Sequence, residues 1–122
     1  MKLDQVRKFA LSLPDTTEEP HHHYGSFRVR GKIFVTVPPD QQHINVFVSE
    51  MDREAALAME PEFIEKLFWG AKVAGLKINL SHARVSSVEA LIRKAYDFNA
   101  AKAPAKTKVK PKKKTPTASK IR

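Results

Sequence analysis

Three consecutive histidines, His21, His22 and His23, are the first residues of the chain whose types and spacing could bind a metal. In an extended segment alternate side chains point to opposite sides, so at most two of the three can easily serve one ion. Zinc takes three or four ligands at defined geometry, and the spacing of Glu18 and Glu19 does not demand that they complete such a set. We therefore predict a polar lead-in to a strand and no metal site, with adventitious nickel or zinc binding as the alternative.

The sequence carries no motif of a known catalytic type. It has no cysteine nucleophile, no GxSxG or HExxH string and no glycine-rich loop that could cradle a phosphate. Its five histidines and 13 carboxylates show no spacing that would select an active set. We therefore predict a protein that is not an enzyme and that has no cofactor.

Composition and hydropathy predict a cytoplasmic location. The lack of cysteine fits a reducing compartment, because it leaves no disulfide framework. The amphipathic N-terminal segment contains Asp4 and lacks the apolar core of a signal peptide. No apolar run approaches the ~20 residues that span a bilayer, so we expect no membrane association.

The positive charge of the chain is concentrated towards its C-terminal end. Nine of the 22 basic residues lie from Lys102 onward, whereas all 13 acidic residues precede it, so the net charge of +9 belongs to this segment. Few large apolar residues accompany the lysines, and we predict a disordered tail over 102–122 that follows a domain over 1–101. Such a tail favours non-specific phosphate contacts, with a solubility or ribosome-associated role as the alternative. Its candidate nucleic-acid-binding residues are Lys108, Lys110, Lys112, Lys113 and Lys114.

The hydrophobic pattern predicts an α+β domain, with an antiparallel sheet of about four to five strands packed with N- and C-terminal helices. Helical spacing predicts a first helix at about 2–13 and a second that buries Ala55, Ala58 and Met59. A last helix follows, and its apolar stripe consists of Val88, Leu91, Ile92, Ala95 and Tyr96.

Period-two alternation predicts the strands of the sheet. Three alternating runs between residues 26 and 48 predict an antiparallel meander, and a further strand is expected at 76–80. Residues 14–20 are expected to form a polar loop, and residues 61–68 a short turn that begins at a proline.

The hairpin around Gly31 decides which side chains share a face of the sheet. A three-residue loop pairs Val29 with Ile33 and keeps the aliphatic residues together, whereas a two-residue loop would mix the faces. The opposite face then presents two phenylalanines among basic and amide groups, which could stack on bases and pair with phosphates. The alternative is that both phenylalanines form a second small core under another helix. The predicted face carries Arg28, Phe34, Asn45, Phe47, Lys77 and Asn79, with Arg30 and Lys32 at the hairpin tip.

Four strings of the sequence, VRKFALSLPDTTEE, SFRVRGKIFVTV, WGAKVAGLKINL and LIRKAYDFNAAK, resemble the MmcQ/YjbR family. The resemblance covers about residues 1–102 and implies a CyaY-like α+β fold. Members of the family are commonly described as DNA-binding proteins with a double-wing arrangement. One departure is Leu76, where family members often carry an aromatic residue. The most specific matching residues are Phe27, Arg28, Val29, Gly31, Lys32 and Phe34.

Charge, sheet pattern and resemblance together favour a non-enzymatic, monomeric protein that binds duplex DNA mainly without sequence specificity. The tail and the outer sheet face with its hairpin would make the phosphate contacts. The alternative is a protein-interaction module that uses the same sheet face, with the tail as an accessory and a partner that the sequence does not identify.

Overall fold

The computed structural model describes residues 1–104 of the 122-residue chain, so most of the predicted tail lies outside the described residues. The described part forms three α-helices, six strands and one 3₁₀ turn. In chain order the elements are α1 (Leu3–Ser12), β1 (Thr16–His21), β2 (Tyr24–Val29), β3 (Lys32–Val37), β4 (His43–Val46), α2 (Glu50–Met59), β5 (Ile64–Trp69), β6 (Lys72–Asn79), the 3₁₀ turn (Leu80–His82) and α3 (Val85–Ala100).

The strands form one antiparallel sheet in the order β1-β2-β3-β4-β6-β5. Helices α1 and α3 bury their apolar residues against one side of the sheet, here named the helix face. The opposite side, here named the groove face, carries Arg28, Thr36, Asn45 and Lys77. This arrangement confirms the α+β class and the antiparallel sheet.

Two strands lie where the sequence predicted none, and they raise the strand count from the expected four to five to six. The polar loop predicted at 14–20 is wrong because β1 pairs along its whole length with β2 as an exposed edge strand. The turn predicted at 61–68 is also wrong, since most of this segment is β5, the opposite edge of the sheet. Edge strands bury little, so neither shows a clear period-two pattern.

A β-bulge in β3 changes the predicted hairpin register. Phe27 pairs with Val35 as predicted, but Arg28 pairs with Ile33, which leaves Phe34 as the extra residue. The predicted pairing of Val29 with Ile33 is therefore wrong, and the loop has two residues rather than three. The bulge resets the alternation inside the strand, so Phe34 and Val35 both face the core, whereas Ile33 shares the groove face with Arg28. The prediction that all the aliphatic residues share one face is therefore wrong for Ile33.

The conformation predicted for Gly31 is confirmed. The two loop residues, Arg30 and Gly31, have φ angles of 47° and 87°, as expected for a tight hairpin turn. Only glycine adopts this region without steric cost, which explains its place at the tip.

The first helix agrees with its predicted bounds, and all five predicted stripe residues of the last helix, α3, are buried. The second helix forms and is capped by Ser49, but its predicted buried face is wrong. Ala55 and Ala58 are exposed and Met59 is 78% exposed, since α2 packs at the sheet edge near β5 and contributes only partly buried residues. Within residues 1–104 no helix has the length and apolar content that crossing a bilayer requires.

Candidate nucleic-acid interface

A groove with a volume of about 1020 Å³ lies on the groove face of the sheet. The β1–β2 and β5–β6 hairpins line its sides, and the C-terminal end of α3 contributes to its rim. Thr36 and Asn45 contribute buried polar side chains from the central strands. Among residues 1–104, the lining includes no aspartate or glutamate. Its basic and aromatic residues are His21, His22, Tyr24, Arg28, Lys32, Phe47, Phe68, Trp69, Lys72, Phe98 and Lys102.

Arg28, a predicted nucleic-acid-binding residue, lines this groove. Its Nε donates to Oγ of Ser26 at 3.1 Å, and its Nη2 donates to the carbonyl oxygen of Pro20 at 3.2 Å. Neither partner carries charge. Within residues 1–104 Arg28 is the arginine that forms no ion pair, because the other five each lie beside a carboxylate. The guanidinium is held in place while its positive charge stays uncompensated.

Arg30, the second predicted contact, is engaged within the fold. Its Nη1 pairs with Asp15 at 3.2 Å, and its Nη2 and Nε donate to the carbonyl oxygens of Ala100 and Pro104 at 2.9 and 2.6 Å. These bonds join the β2–β3 hairpin to the C-terminal end of α3 and leave little capacity for a ligand. We therefore assign Arg30 a structural role and leave it out of the proposed interface.

The remaining predicted cations of the domain lie in or beside the groove. Lys32 lines it at the hairpin tip and is exposed. Lys77 lies on β6 between Asn45 and Glu65 of the adjacent strands, beside the groove rather than in its lining. Neither lysine forms an ion pair with another residue of the described part. The predicted tail contacts, Lys108, Lys110, Lys112, Lys113 and Lys114, lie outside the described residues.

The two predicted aromatic contacts lie on opposite sides of the sheet. Phe34 is fully buried on the helix face, where its ring meets Tyr96 edge-to-face with centroids 5.6 Å apart. Its predicted place on the outer face is wrong, because the bulge turns both Phe34 and Val35 towards the core. Phe47 lines the groove as predicted, with its ring centroid 5.6 Å from that of Trp69.

Gly75 provides the room that Phe47 needs. A Cβ atom at this position would lie 2.6 Å from the carbonyl oxygen of Val46 and 3.1 Å from Cδ1 of Phe47. Side-chain atoms do not pack at such distances, so only glycine allows β4 and the phenyl ring to approach β6 this closely. Asn99 of α3 also holds the backbone of Phe47 in place, because its Nδ2 donates to the carbonyl oxygen of Phe47 at 2.8 Å.

Asn45 is an incompletely satisfied polar residue in the groove lining. Its side chain is buried, with 4% exposure, and its Nδ2 donates to Oγ1 of Thr36 at 3.1 Å. Its Oδ1 accepts no hydrogen bond from any residue between 1 and 104. The amide oxygen of Asn45 therefore retains hydrogen-bond acceptor capacity that the described residues do not use.

The histidines contribute to the groove without forming a metal cluster. His22 has a φ of 60° and turns the β1–β2 hairpin, and its ring lies 4.8 Å from that of His21. In the part of the chain that the structure describes, no group of three or more histidine, aspartate or glutamate side chains is placed to hold an ion.

Sequence reasoning missed several groove residues. Phe68, Trp69 and Lys72 belong to the β5–β6 hairpin, and Trp69 is 65% exposed. The chain has one tryptophan, and an aromatic pair followed by Gly70 was a signal for a hairpin tip. Lys102 was assigned to the tail, but its Nζ lies 3.8 Å from the centroid of the Phe98 ring and both residues line the groove.

Comparison with known proteins places this fold in a family. A six-stranded antiparallel sheet with helices on one face defines an α+β domain of the class predicted from the sequence. The family model described as YjbR matches residues 11–98, and the chain belongs to the YjbR family. A crystal structure of Deinococcus radiodurans protein DR2400, whose title gives the domain DUF419, has a similar fold. The TM-score is 0.67 at 17% identity, over 78% of this chain and 75% of that chain. A comparison with curated proteins gave no match.

Proposed function

We propose that this protein is a non-enzymatic nucleic-acid-binding protein that holds duplex DNA mainly through its phosphates. One observation carries the proposal: the groove lining combines uncompensated cations with no carboxylate, although residues 1–101 contain 13 basic and 13 acidic residues. A neutral domain with mixed charges offers no general attraction to a polyanion. A groove whose described lining holds cations and no carboxylate does, although Glu65 lies beside Lys77 outside that lining.

Within the domain, Arg28, Lys32 and Lys72 are the proposed phosphate contacts, with Lys77 beside them. Arginine suits this role because its planar guanidinium can donate two parallel hydrogen bonds to phosphate oxygens. Two hydrogen bonds already orient Arg28, which lowers the entropy that binding must remove. These contacts fix position on the backbone and carry no base-reading information.

The lysines from 106 to 120 are proposed to add affinity without specificity. Each neutralised phosphate contributes about −0.9 to the slope of log affinity against log salt on duplex DNA. Engagement of five lysines would therefore weaken binding about a thousandfold for a roughly fivefold rise in salt. The same proposal places the protein in the cytoplasm as a monomer that needs no cofactor and no membrane.

A protein-interaction module is the second candidate, and the exposed aromatic residues favour it. Tyr24, Phe68 and Trp69 line the groove and are 40%, 53% and 65% exposed. Aromatic residues are enriched in protein interfaces, and the basic lining would select an acidic partner.

Binding of the full chain to duplex DNA, measured by fluorescence anisotropy, separates the two candidates. We expect salt-dependent binding that weakens but persists at low salt when glutamine replaces the lysines at 106, 108, 110, 112, 113, 114 and 120. Persistence shows that the folded domain contributes. If the glutamine variant bound no DNA at low salt, the groove would not be a DNA-binding surface and the protein-interaction candidate would stand. Unfolding curves of both proteins control for structural damage, since the replaced residues lie outside the described fold.

A further inference from the structure

We propose that the groove binds an unstacked base of single-stranded nucleic acid, with Phe47 and Trp69 as the stacking surface. The inference rests on the proposed function and refines it. The tail lysines and the groove cations attract any nucleic acid through phosphates, whereas the aromatic corner of the groove selects strands whose base faces are free. The folded domain then distinguishes unpaired from paired segments.

The aromatic geometry supports this ligand. The Phe47 and Trp69 rings are inclined at 44° with centroids 5.6 Å apart, so they form a corner of two aromatic surfaces rather than a closed stack. Trp69 is 65% exposed, which leaves ring surface available to a ligand. Aromatic side chains stack on any base because every base has a π face, but only an unpaired strand can present that face.

Cations lie in the same groove as the aromatic corner. Arg28, Lys32 and Lys72 line it, and none of them forms an ion pair within residues 1–104. Proteins that bind single strands combine a basic groove that follows the backbone with aromatic side chains that receive the bases. The groove has both components on one surface, with no carboxylate in its lining to repel a phosphate.

Asn45 adds a polar group that a base edge can satisfy. Its Oδ1 is buried and accepts no hydrogen bond from the described residues, and its side chain belongs to the groove lining. The exocyclic amino groups of adenine and cytosine are hydrogen-bond donors of the kind this oxygen lacks. An apolar protein segment would leave both this oxygen and the Arg28 charge uncompensated, so the chemistry favours a base over such a partner.

Trp69 is the sole tryptophan of the chain and reports directly on the groove. We expect a single-stranded oligodeoxyadenylate to quench the fluorescence of the full-length protein in a saturable way. Two controls carry the same number of phosphates: an abasic strand, and a blunt duplex. Both should bind through the tail and the groove cations, which anisotropy measures, without comparable quenching. An oligoribonucleotide arm then establishes whether the sugar matters.

Matched variants test the contacts. Phe47→Leu retains an apolar side chain at a half-buried site and should weaken single-strand binding about tenfold, since stacking on one base contributes roughly 1–3 kcal/mol. Asn45→Ala should weaken binding of the adenylate more than binding of a thymidylate, whose base lacks the amino group. Lys8→Gln, on α1 away from the groove, should leave both affinities within twofold.

The outcomes are distinct. Equal quenching by the abasic strand or the duplex, or no quenching by the adenylate, would overturn the base-binding groove while DNA binding by phosphate contacts stood. Loss of all nucleic-acid binding by the full chain at low salt would instead overturn the proposed function.

Discussion

The two faces of the sheet place the same residue types, phenylalanine and arginine, in different environments. On the helix face phenylalanine is fully buried, and the arginines of the packed helices lie beside carboxylates, as Arg7 does with Glu18 at 2.9 Å. The hydrogen bond and charge of Glu18 raise the pKa of Arg7 above its ordinary value. On the groove face phenylalanine is half-buried and Arg28 has no carboxylate partner among residues 1–104.

This difference separates stability from function. The helix face follows the rules of a core, in which apolar area is buried and charges on the surrounding helices are balanced. The groove face buries Ser26, Thr36 and Asn45 and exposes Trp69, an arrangement that costs folding free energy. Residues that lower the stability of the free protein are expected at a binding site, where a ligand can satisfy their polar groups and cover their apolar surface.

The largest expected effect compares the two phenylalanines. Phe34→Ala should lower the free energy of unfolding by about 3–5 kcal/mol, because it leaves a cavity beside Tyr96. Phe47→Ala should cost less than about 2 kcal/mol, because the ring is already partly exposed to solvent. Urea unfolding of both variants measures the difference. Equal losses would show that Phe47 belongs to the core and would remove the distinction between the faces.

The next effect compares two arginines of the same hairpin. Arg30→Ala removes an ion pair and two bonds to the carbonyl oxygens of Ala100 and Pro104, and it should cost about 1–2 kcal/mol of unfolding free energy. Arg28→Ala should cost less than about 1 kcal/mol and should weaken DNA binding instead. Unfolding and anisotropy on both variants are the measurements. A reversed pattern, with Arg28 needed for folding and Arg30 for binding, would contradict the roles assigned above.

The smallest effect concerns Asp40, in the loop between β3 and β4. The backbone N–H of Gln42, followed by the side chain of His43, holds the pKa of this carboxyl below its ordinary value of 3.8. A carboxyl whose pKa is lowered in the folded state stabilises the fold above its unfolded-state pKa and loses that contribution as pH falls through the folded-state pKa. Wild type and Asp40→Asn should therefore converge in unfolding free energy only as pH falls through the folded-state pKa, which lies below 3.8. A gap that persisted in acid would show that the carboxylate charge is not responsible.

The sequence predicted the elements whose apolar residues recur with a regular period. The apolar stripe of α3 and the apolar alternation in β2, β3 and β4 arise because these elements contact the core, so the spacing of their apolar residues reveals the type of element. Strands β1 and β5 were missed because edge strands bury little: only Ile64 of β5 is buried, and β1 has no buried residue. These strands form through backbone hydrogen bonds to β2 and β6, which do not require a regular pattern of apolar side chains.

The candidate site was predicted in part, for reasons that the β3 bulge makes clear. Arg28, Phe47 and Lys77 were placed on the outer face because period two holds along their strands. Phe34 was assigned to the wrong face because the bulge in β3 resets the alternation. No residue in this part of the sequence indicates a bulge. The Arg30 contacts with α3, and the corner that Trp69 makes with Phe47, depend on segments distant in sequence, which local pattern does not record.

The most direct test of the groove-face account is the salt dependence of duplex DNA binding in the glutamine variant of the tail. In that background, Arg28→Gln, Lys32→Gln and Lys72→Gln together should flatten the slope of log affinity against log salt by about 2–3. The matched control neutralises Lys2, Lys8 and Lys94 of the helical elements and should leave the slope unchanged. Equal flattening by the two sets would contradict the account, because DNA would then respond to net charge and not to the groove.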